Sequence, residues 1–424
     1  MKIGVIGAGI VGVTSAYELA AAGHDVTVYE QGGSIAAEAS FAHAGLDGPG
    51  CAVAWSPLAV AGGLVGLALR GRLPSALTPR PSTAAWSLQW LRANRGSVQG
   101  LMQQRLHRLA AYSRTRSAAL THALQLDFER STGVMVVSRS AADTHRLLGA
   151  LAGFDAREIR HHRLKPDACR VLEPGLNPQA RLHAAVHLPD EGAGNSREFA
   201  HHIKQHAQRL GVRFAFSAEV RAIHPGTRPA LDVVQVGQAQ GGQNQRESFD
   251  AVLVCAGLAS QRLLAPLGLK LPLIGVQGVS VTAPLRLDDL SEHVGPVSAL
   301  LEPQSGISIV RAGGRVRASG GARIGRMTRS VAMVTQKRLY QALDEWFPGA
   351  ARVTQAQHWQ GASPTLPDGL PVLGRSGIDG VWLNLGHGSV GHTVACGSAR
   401  LVAAMLAGTP PEIDAEGLGV ERFR

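Results

Sequence analysis

Residues 2–30 read KIGVIGAGIVGVTSAYELAAAGHDVTVYE, and this stretch decides the fold. Ile3 to Ile6 form an apolar run of the kind found in a parallel strand buried on both faces. Gly7, Gly9 and Gly12 follow in the order G-x-G-x-x-G. The Ala-rich run behind them predicts a helix from about Val11 to Ala22, with Gly23 as its stop and Asp25–Tyr29 as a second strand ending at Glu30. Each feature has a task at a dinucleotide. Gly7 allows a tight turn, Gly9 lets backbone approach a pyrophosphate, and Gly12 lets helix and strand pack closely. The helix N-terminus, with Ile10 and Val11 in its first turn, offers N–H groups and a positive dipole to phosphates. Glu30 is placed to accept from ribose hydroxyls. An acid here argues against a 2′-phosphate, so FAD or NAD is expected and NADP is not.

Working outward, 424 residues give room for two domains or one large bipartite domain. Hydrophobic content of 45% and charged content of 17% are ordinary for a soluble enzyme. The net charge of +11 favours anionic partners, but no basic block with interleaved aromatics occurs, so nucleic acid is not expected. Cys51, Cys169, Cys255 and Cys396 form no C-x-x-C and no metal spacing with histidine. A reducing compartment without a metal site is expected. The first apolar run carries the glycine fingerprint and does not read as a signal peptide. No apolar run reaches the roughly 18 residues of a membrane span. A cytoplasmic location is expected. The segment PLAVAGGLVGLALRGRLP, residues 57–74, reads as a pocket lid or core piece; peripheral contact with the inner face of a membrane is the alternative.

From about Thr83 to Leu126 the pattern is helical, with Trp86, Trp90, Leu101, Leu109 and Leu120 among many arginines. Gly133–Ser138 and Ala185–Leu188 read as strands, and residues 141–152 as a helix. Asn195 or Ser196 can cap a helix running to Leu210, and VRFAF then begins a strand. Residues 232–250 read as a polar hairpin. Strand Ala251–Cys255 ends at Ala256-Gly257, and Ser260 opens a helix: a second strand–glycine–helix junction. Between 271 and 323 short strands separated by glycine bends predict an antiparallel sheet. A helix from about Thr335 to Trp346 follows.

Several of these stretches resemble one family. A-S-F-A-H-A-G, residues 39–45, resembles the S-x-x-N-A-G that follows the Rossmann unit in the small subunit of D-amino acid dehydrogenases, within the FAD-dependent D-amino acid oxidase superfamily. HWQGASPTLPDGLPVLGR, residues 358–375, is similar to its W-x-G-x-R-P-x-x-P-D-G-x-P-x-x-G. VWLNLGHGSVGHTVACG, residues 381–397, is similar to its N-x-G-H-G-x-x-G-x-T-x-A-x-G. The resemblance covers nearly the whole chain. It implies an α/β fold: a Rossmann-type FAD-binding domain (1–50, 190–268 and 355–424) and a substrate domain on a mainly antiparallel sheet with helices (51–189 and 269–354). It places Ser40, His43, Ala44, Gly45, Val220, Ala256 and Gly257 at FAD. It adds Gly386, His387, Gly388, Ser389, Val390, Gly391, His392 and Thr393, where glycines let backbone approach the isoalloxazine and a helix start faces its developing charge.

The activity implied is oxidation of the Cα–N bond of a D-amino acid or related amine by hydride transfer to flavin. The imine product hydrolyses to oxo acid and ammonia, and electrons pass to a quinone or another acceptor. No catalytic residue is certain; His387 and His43 are the candidates. A histidine in a similar context carries covalent flavin in more distant relatives, although His43 reads more simply as a pocket or hydrogen-bonding residue. Three positions depart from the pattern. His43 stands where asparagine is usual. Ser363 stands where an arginine would hold a carboxylate through paired charge-assisted hydrogen bonds. Gln277-Gly278-Val279 replaces K-G-Y, losing an aromatic hydroxyl. Gln277, Val279 and Ser363 are thus expected at an altered substrate pocket, with Arg323 either a relocated carboxylate anchor or one more surface arginine; Arg311 reads as a surface residue. The alternative is an FAD-binding homologue or subunit with a non-amino-acid amine substrate or no independent catalysis.

Overall fold

In the computed structural model residues 1–55, 81–154, 159–237, 245–286, 294–325 and 327–423 are described. Segment 57–74 and the tip of the hairpin 232–250 lie outside them. The apolar run after Met1 is strand Lys2–Ile6, near the middle of a six-stranded sheet. It pairs in parallel with Asp25–Tyr29 on one side and Ala251–Val254 on the other. Arg213–Ala215 extends the first side and Val381–Leu385 the second, both in parallel, and Val372–Ile378 closes the edge antiparallel. A strand paired in parallel on both sides needs both faces covered, which is why its residues are uniformly apolar and buried.

Helix Ile10–Ala21 covers one face together with Gly96–Ala123, Ser196–Arg209 and Gly391–Leu406. The other face packs on a three-stranded antiparallel sheet, Ala218–His224, Ala230–Gln235 and Gln245–Ser248, and on helix Ser260–Leu264. Helix Gly96–Ala123 was expected in the substrate domain. It instead shares the dinucleotide-side core, where Leu106, Leu109 and Leu120 pack with Val13 and Val394. Its Ser113 hydroxyl accepts the Gly397 N–H at 3.0 Å, at a contact too close for any side chain at residue 397.

A nine-stranded, mainly antiparallel sheet forms the second layer. Its central strands Ile274–Pro284, Ile307–Ala312 and Arg315–Ile324 carry one apolar face onto helix Arg329–Trp346. That helix begins earlier than the sequence suggested, because the Thr328 hydroxyl caps it by accepting the Val331 N–H at 3.4 Å. Leu46–Asp47 and Gln357–Thr365 also pair in this sheet, although the sequence boundaries assigned both segments to the FAD-binding part. Backbone pairing, not chain continuity, moves them across. Among the described residues no helix is long and apolar enough to cross a membrane.

Candidate functional site: a dinucleotide cleft beside a buried arginine

The chain passes from the first strand to Asp25–Tyr29 on one side and returns to it much later as Ala251–Val254 on the other, and the carboxyl end of such a strand is where open α/β sheets bind ligands. The cleft here starts at that end. Gly7 has φ +99°, and a Cβ on it would lie 2.7 Å from the Cys255 carbonyl oxygen of the second strand–glycine junction. A Cβ on Gly12 would lie 1.9 Å from the Gly7 carbonyl oxygen. Both glycines are therefore required by packing, and Gly9 is left facing the cleft with only the Ser40 hydroxyl nearby. Ser40 Oγ accepts the Ile10 N–H at 3.2 Å, fixing the loop at the helix N-terminus. Glu30 accepts from Ala8 N–H at 2.8 Å and from Gly32 N–H at 2.7 Å. A carboxylate has about four acceptor sites, so capacity for ribose hydroxyls remains.

The structure brings Gly7, Gly9, Ile10, Val11, Glu30, Ser40, His43, Val220, Ala256, Gly257, Ser363, Gly386, His387, Gly388, Gly391 and His392 to the walls of this one cleft. Gly12, Ala44, Gly45, Ser389, Val390 and Thr393 are not among the residues that line it. The Thr393 hydroxyl donates to the Leu46 carbonyl at 2.7 Å and ties the C-terminal helix to the loop carrying His43.

Three histidines at the cleft are held neutral. His43 Nδ1 accepts the Gly45 N–H at 3.0 Å, so Nε2 carries the proton and donates to the Ser389 carbonyl at 2.8 Å. Burial lowers its pKa to about 4. His387 Nε2 lies 3.0 Å from Ser398 Oγ, whose own proton goes to the Ala395 carbonyl, so the imidazole is the donor. Burial brings His387 to about 3, and burial with the nearby His43 brings His392 to about 3. His392 packs edge-on to Phe199, with ring centroids 5.8 Å apart. Its Nδ1 is buried without a partner, as is Asn384 Oδ1 on the same cleft. Buried polar atoms without partners mark where a polar ligand is needed.

Three residues expected on the substrate side, Val279, Gln277 and Arg323, fall outside this cleft. Val279 does not face the cleft. The register shifts between Gln277 and Val279, and from there Val279, Val281 and Ala283 all point to the helix-packed core. Arg323 sits opposite Gln277 on the neighbouring strand, and neither lines this cleft. Arg311 is a hairpin residue whose Nε donates to the Gly313 carbonyl at 3.1 Å.

The residue that was overlooked is Arg317. It is 5% exposed, and burial pushes its pKa down to about 10. Nε donates to Thr282 Oγ1 at 3.0 Å and Nη1 to the His43 carbonyl at 2.8 Å. It lines a second cleft, of about 730 Å³, that adjoins the first across the 40–43 loop: Phe41 and Ala42 line the second, Ser40 and His43 the first. A signal existed: in RVRAS, Arg315, Arg317 and Ser319 alternate with the apolar Val316 and Ala318 and so share one face of the strand.

Comparison with known proteins adds the following. The family described as DAO, FAD dependent oxidoreductase, matches residues 2–405. A D-amino acid dehydrogenase of Cereibacter sphaeroides is 34% identical over 433 residues, covering 100% of this chain and 95% of the relative. One of Azorhizobium caulinodans is 33% identical over 428 residues, covering 100% of both. Among solved structures, glycine oxidase from Geobacillus kaustophilus has a TM-score of 0.71 at 20% identity, covering 99% of this chain and 97% of that one.

Proposed function

The chain belongs to the FAD dependent oxidoreductase family, and from that premise we propose that it oxidises the Cα–N bond of an α-amino acid, of the D series as in its named relatives. The observation that carries this reading is the single cleft joining the G-x-G-x-x-G turn, Glu30, His43 and the 386–392 segment. FAD is the cofactor, and when bound it supplies the two-electron acceptor. The cleft suits it: Gly9 and the helix N-terminus at the pyrophosphate, Glu30 and Val220 toward the adenosine, and His43, His387, Gly388 and His392 toward the ring system.

The chain's own contribution is positioning and exclusion of charge. The three histidines are neutral near pH 7, so none is a cation competing with a substrate ammonium. Neither is any a strong base, so the substrate reacts as the free amine. Loss of hydride from Cα of the free amine leaves an iminium, and addition of water to it releases the oxo acid and ammonium. Electrons then leave to an acceptor; a quinone or another electron acceptor fits this reading. The test is a steady-state assay with an artificial electron acceptor. Oxo acid, ammonia and reduced acceptor in equal amounts support the proposal, and acceptor reduction without ammonia contradicts it.

One observation favours a second reading. Ser363 lines the cleft at the position where the resembled family pattern W-x-G-x-R-P has arginine, which suits a substrate without a carboxylate or a non-catalytic FAD-binding subunit. Turnover of an amino acid by the isolated chain discards it.

A further inference from the structure

A guanidinium buried to 5% exposure is costly unless a counter-charge or a full set of hydrogen bonds compensates it. Arg317 has two neutral acceptors, the Thr282 hydroxyl and the His43 carbonyl. Nη2 has no partner among the described residues. The nearby carboxylate, Glu129, is already taken by Arg315 at 3.0 and 2.7 Å and by Asn195 at 2.7 Å. Arg317 therefore waits for an anion, on the wall of an open cleft.

A second observation, independent of the charge, points to the same place. Ser280 and Ser319 face each other across neighbouring strands, two residues along from the Thr282–Arg317 pair and on the same sheet face. Both hydroxyls are buried and neither has a partner. Two orphaned hydroxyls beside an uncompensated guanidinium form a donor set that neutral packing would not retain. Trp359, opposite Ser280 on the next strand, folds its indole over Gly361, where a Cβ would lie 2.0 Å from the ring. That gives the polar floor an apolar wall.

We propose that Arg317, with Ser280 and Ser319, is the carboxylate anchor of this site and does the work of the arginine absent at Ser363. The inference rests on the amine-oxidising function above and sharpens it: the substrate keeps its α-carboxylate. Because Arg317 also holds the carbonyl of His43, carboxylate and cofactor loop are positioned by one side chain.

The test uses the flavin-loaded protein and the variants Arg317→Gln, Arg317→Lys and Ser319→Ala. Each is loaded with FAD, and its visible spectrum is checked before two measurements: anaerobic flavin reduction by D-alanine against D-alaninol, and propionate binding followed by flavin spectral perturbation. Loss of a charge-assisted pair predicts that Arg317→Gln weakens D-alanine and propionate binding by about 30-fold or more. Arg317→Lys restores part of it, and D-alaninol is unaffected. If Arg317→Gln does not fold, Ser319→Ala decides, with an expected loss of about fivefold for one hydrogen bond. Unchanged D-alanine and propionate binding in the variants overturns the anchor while leaving amine oxidation standing. If D-alaninol reduces the wild-type flavin and D-alanine does not, the anchor is likewise overturned. If no amine reduces it, the function reading falls, and propionate binding alone decides the anchor.

Discussion

The imidazole of His43 donates from Nε2 to the backbone carbonyl of Ser389 at 2.8 Å, joining a loop near the N-terminus to the glycine turn before the last long helix. Its other nitrogen accepts the Gly45 N–H at 3.0 Å. With both nitrogens engaged, the ring has no free lone pair for a bond to flavin. Acid precipitation of the purified holoprotein is expected to release all yellow colour to the supernatant. Flavin retained in the pellet contradicts this arrangement.

Two glycines of the G-x-G-x-x-G turn, Gly9 and Gly12, differ in kind. Gly12→Ala places a methyl group 1.9 Å from the Gly7 carbonyl oxygen and is expected to cost about 3 kcal/mol as overpacking, lowering Tm along with flavin content. Gly9→Ala meets only Ser40 Oγ at 3.6 Å, so the fold stands and flavin affinity alone falls. Thermal unfolding and the flavin-to-protein absorbance ratio separate the two cases.

Glu18 is fully buried and receives Arg116 through Nε at 2.7 Å and Nη2 at 2.8 Å. This bidentate pair ties helix Ile10–Ala21 to helix Gly96–Ala123. Arg116→Ala leaves a buried carboxylate with only Arg400 at 3.7 Å and is expected to destabilise by about 3 kcal/mol. Replacing both partners, as Glu18→Leu with Arg116→Met, recovers most of that loss. Denaturant midpoints of the single and double variants check it.

The three cleft histidines have folded pKa values of about 3 to 4, below the ordinary 6.5. The unfolded chain therefore binds more protons between pH 4 and 6.5, and their contribution to stability is lost as pH falls through that window. His392→Phe keeps the edge-on packing against Phe199 and removes one titrating group, so its Tm falls less than wild type between pH 7 and 5. In catalysis none of the three titrates above pH 5. The rate of flavin reduction at low substrate is expected to rise with pH toward the substrate's own amine pKa, with no inflection near 6.5. An inflection there contradicts neutral burial.

Much of this was legible in the sequence because its signals are local. Gly7, Gly9 and Gly12 with Glu30 mark a strand–turn–helix–strand unit within thirty residues, and the 381–397 segment carries its own turn and helix start. What was not legible depends on pairing between distant strands. The bulge after Gln277 turns Val279 into the core, and no local pattern in VQGVS announces a register shift. Arg317 was hidden among many arginines, since only the pairing of Thr282 with Arg317 and the approach of the His43 loop distinguish it from a surface residue. That helix Gly96–Ala123 shares the core of the parallel sheet was not legible either, because an amphipathic face does not state which sheet it covers.

The central claim is that an FAD-loaded chain takes hydride from an α-amino acid. Anaerobic mixing of the holoprotein with a panel of D-amino acids, followed at the flavin absorbance maximum, tests it most directly. The account predicts bleaching by D-amino acids, slowed several-fold by deuterium at Cα, with little response to their L enantiomers. A flavin that stays oxidised across the whole D-amino acid panel, in protein shown to bind FAD, contradicts it.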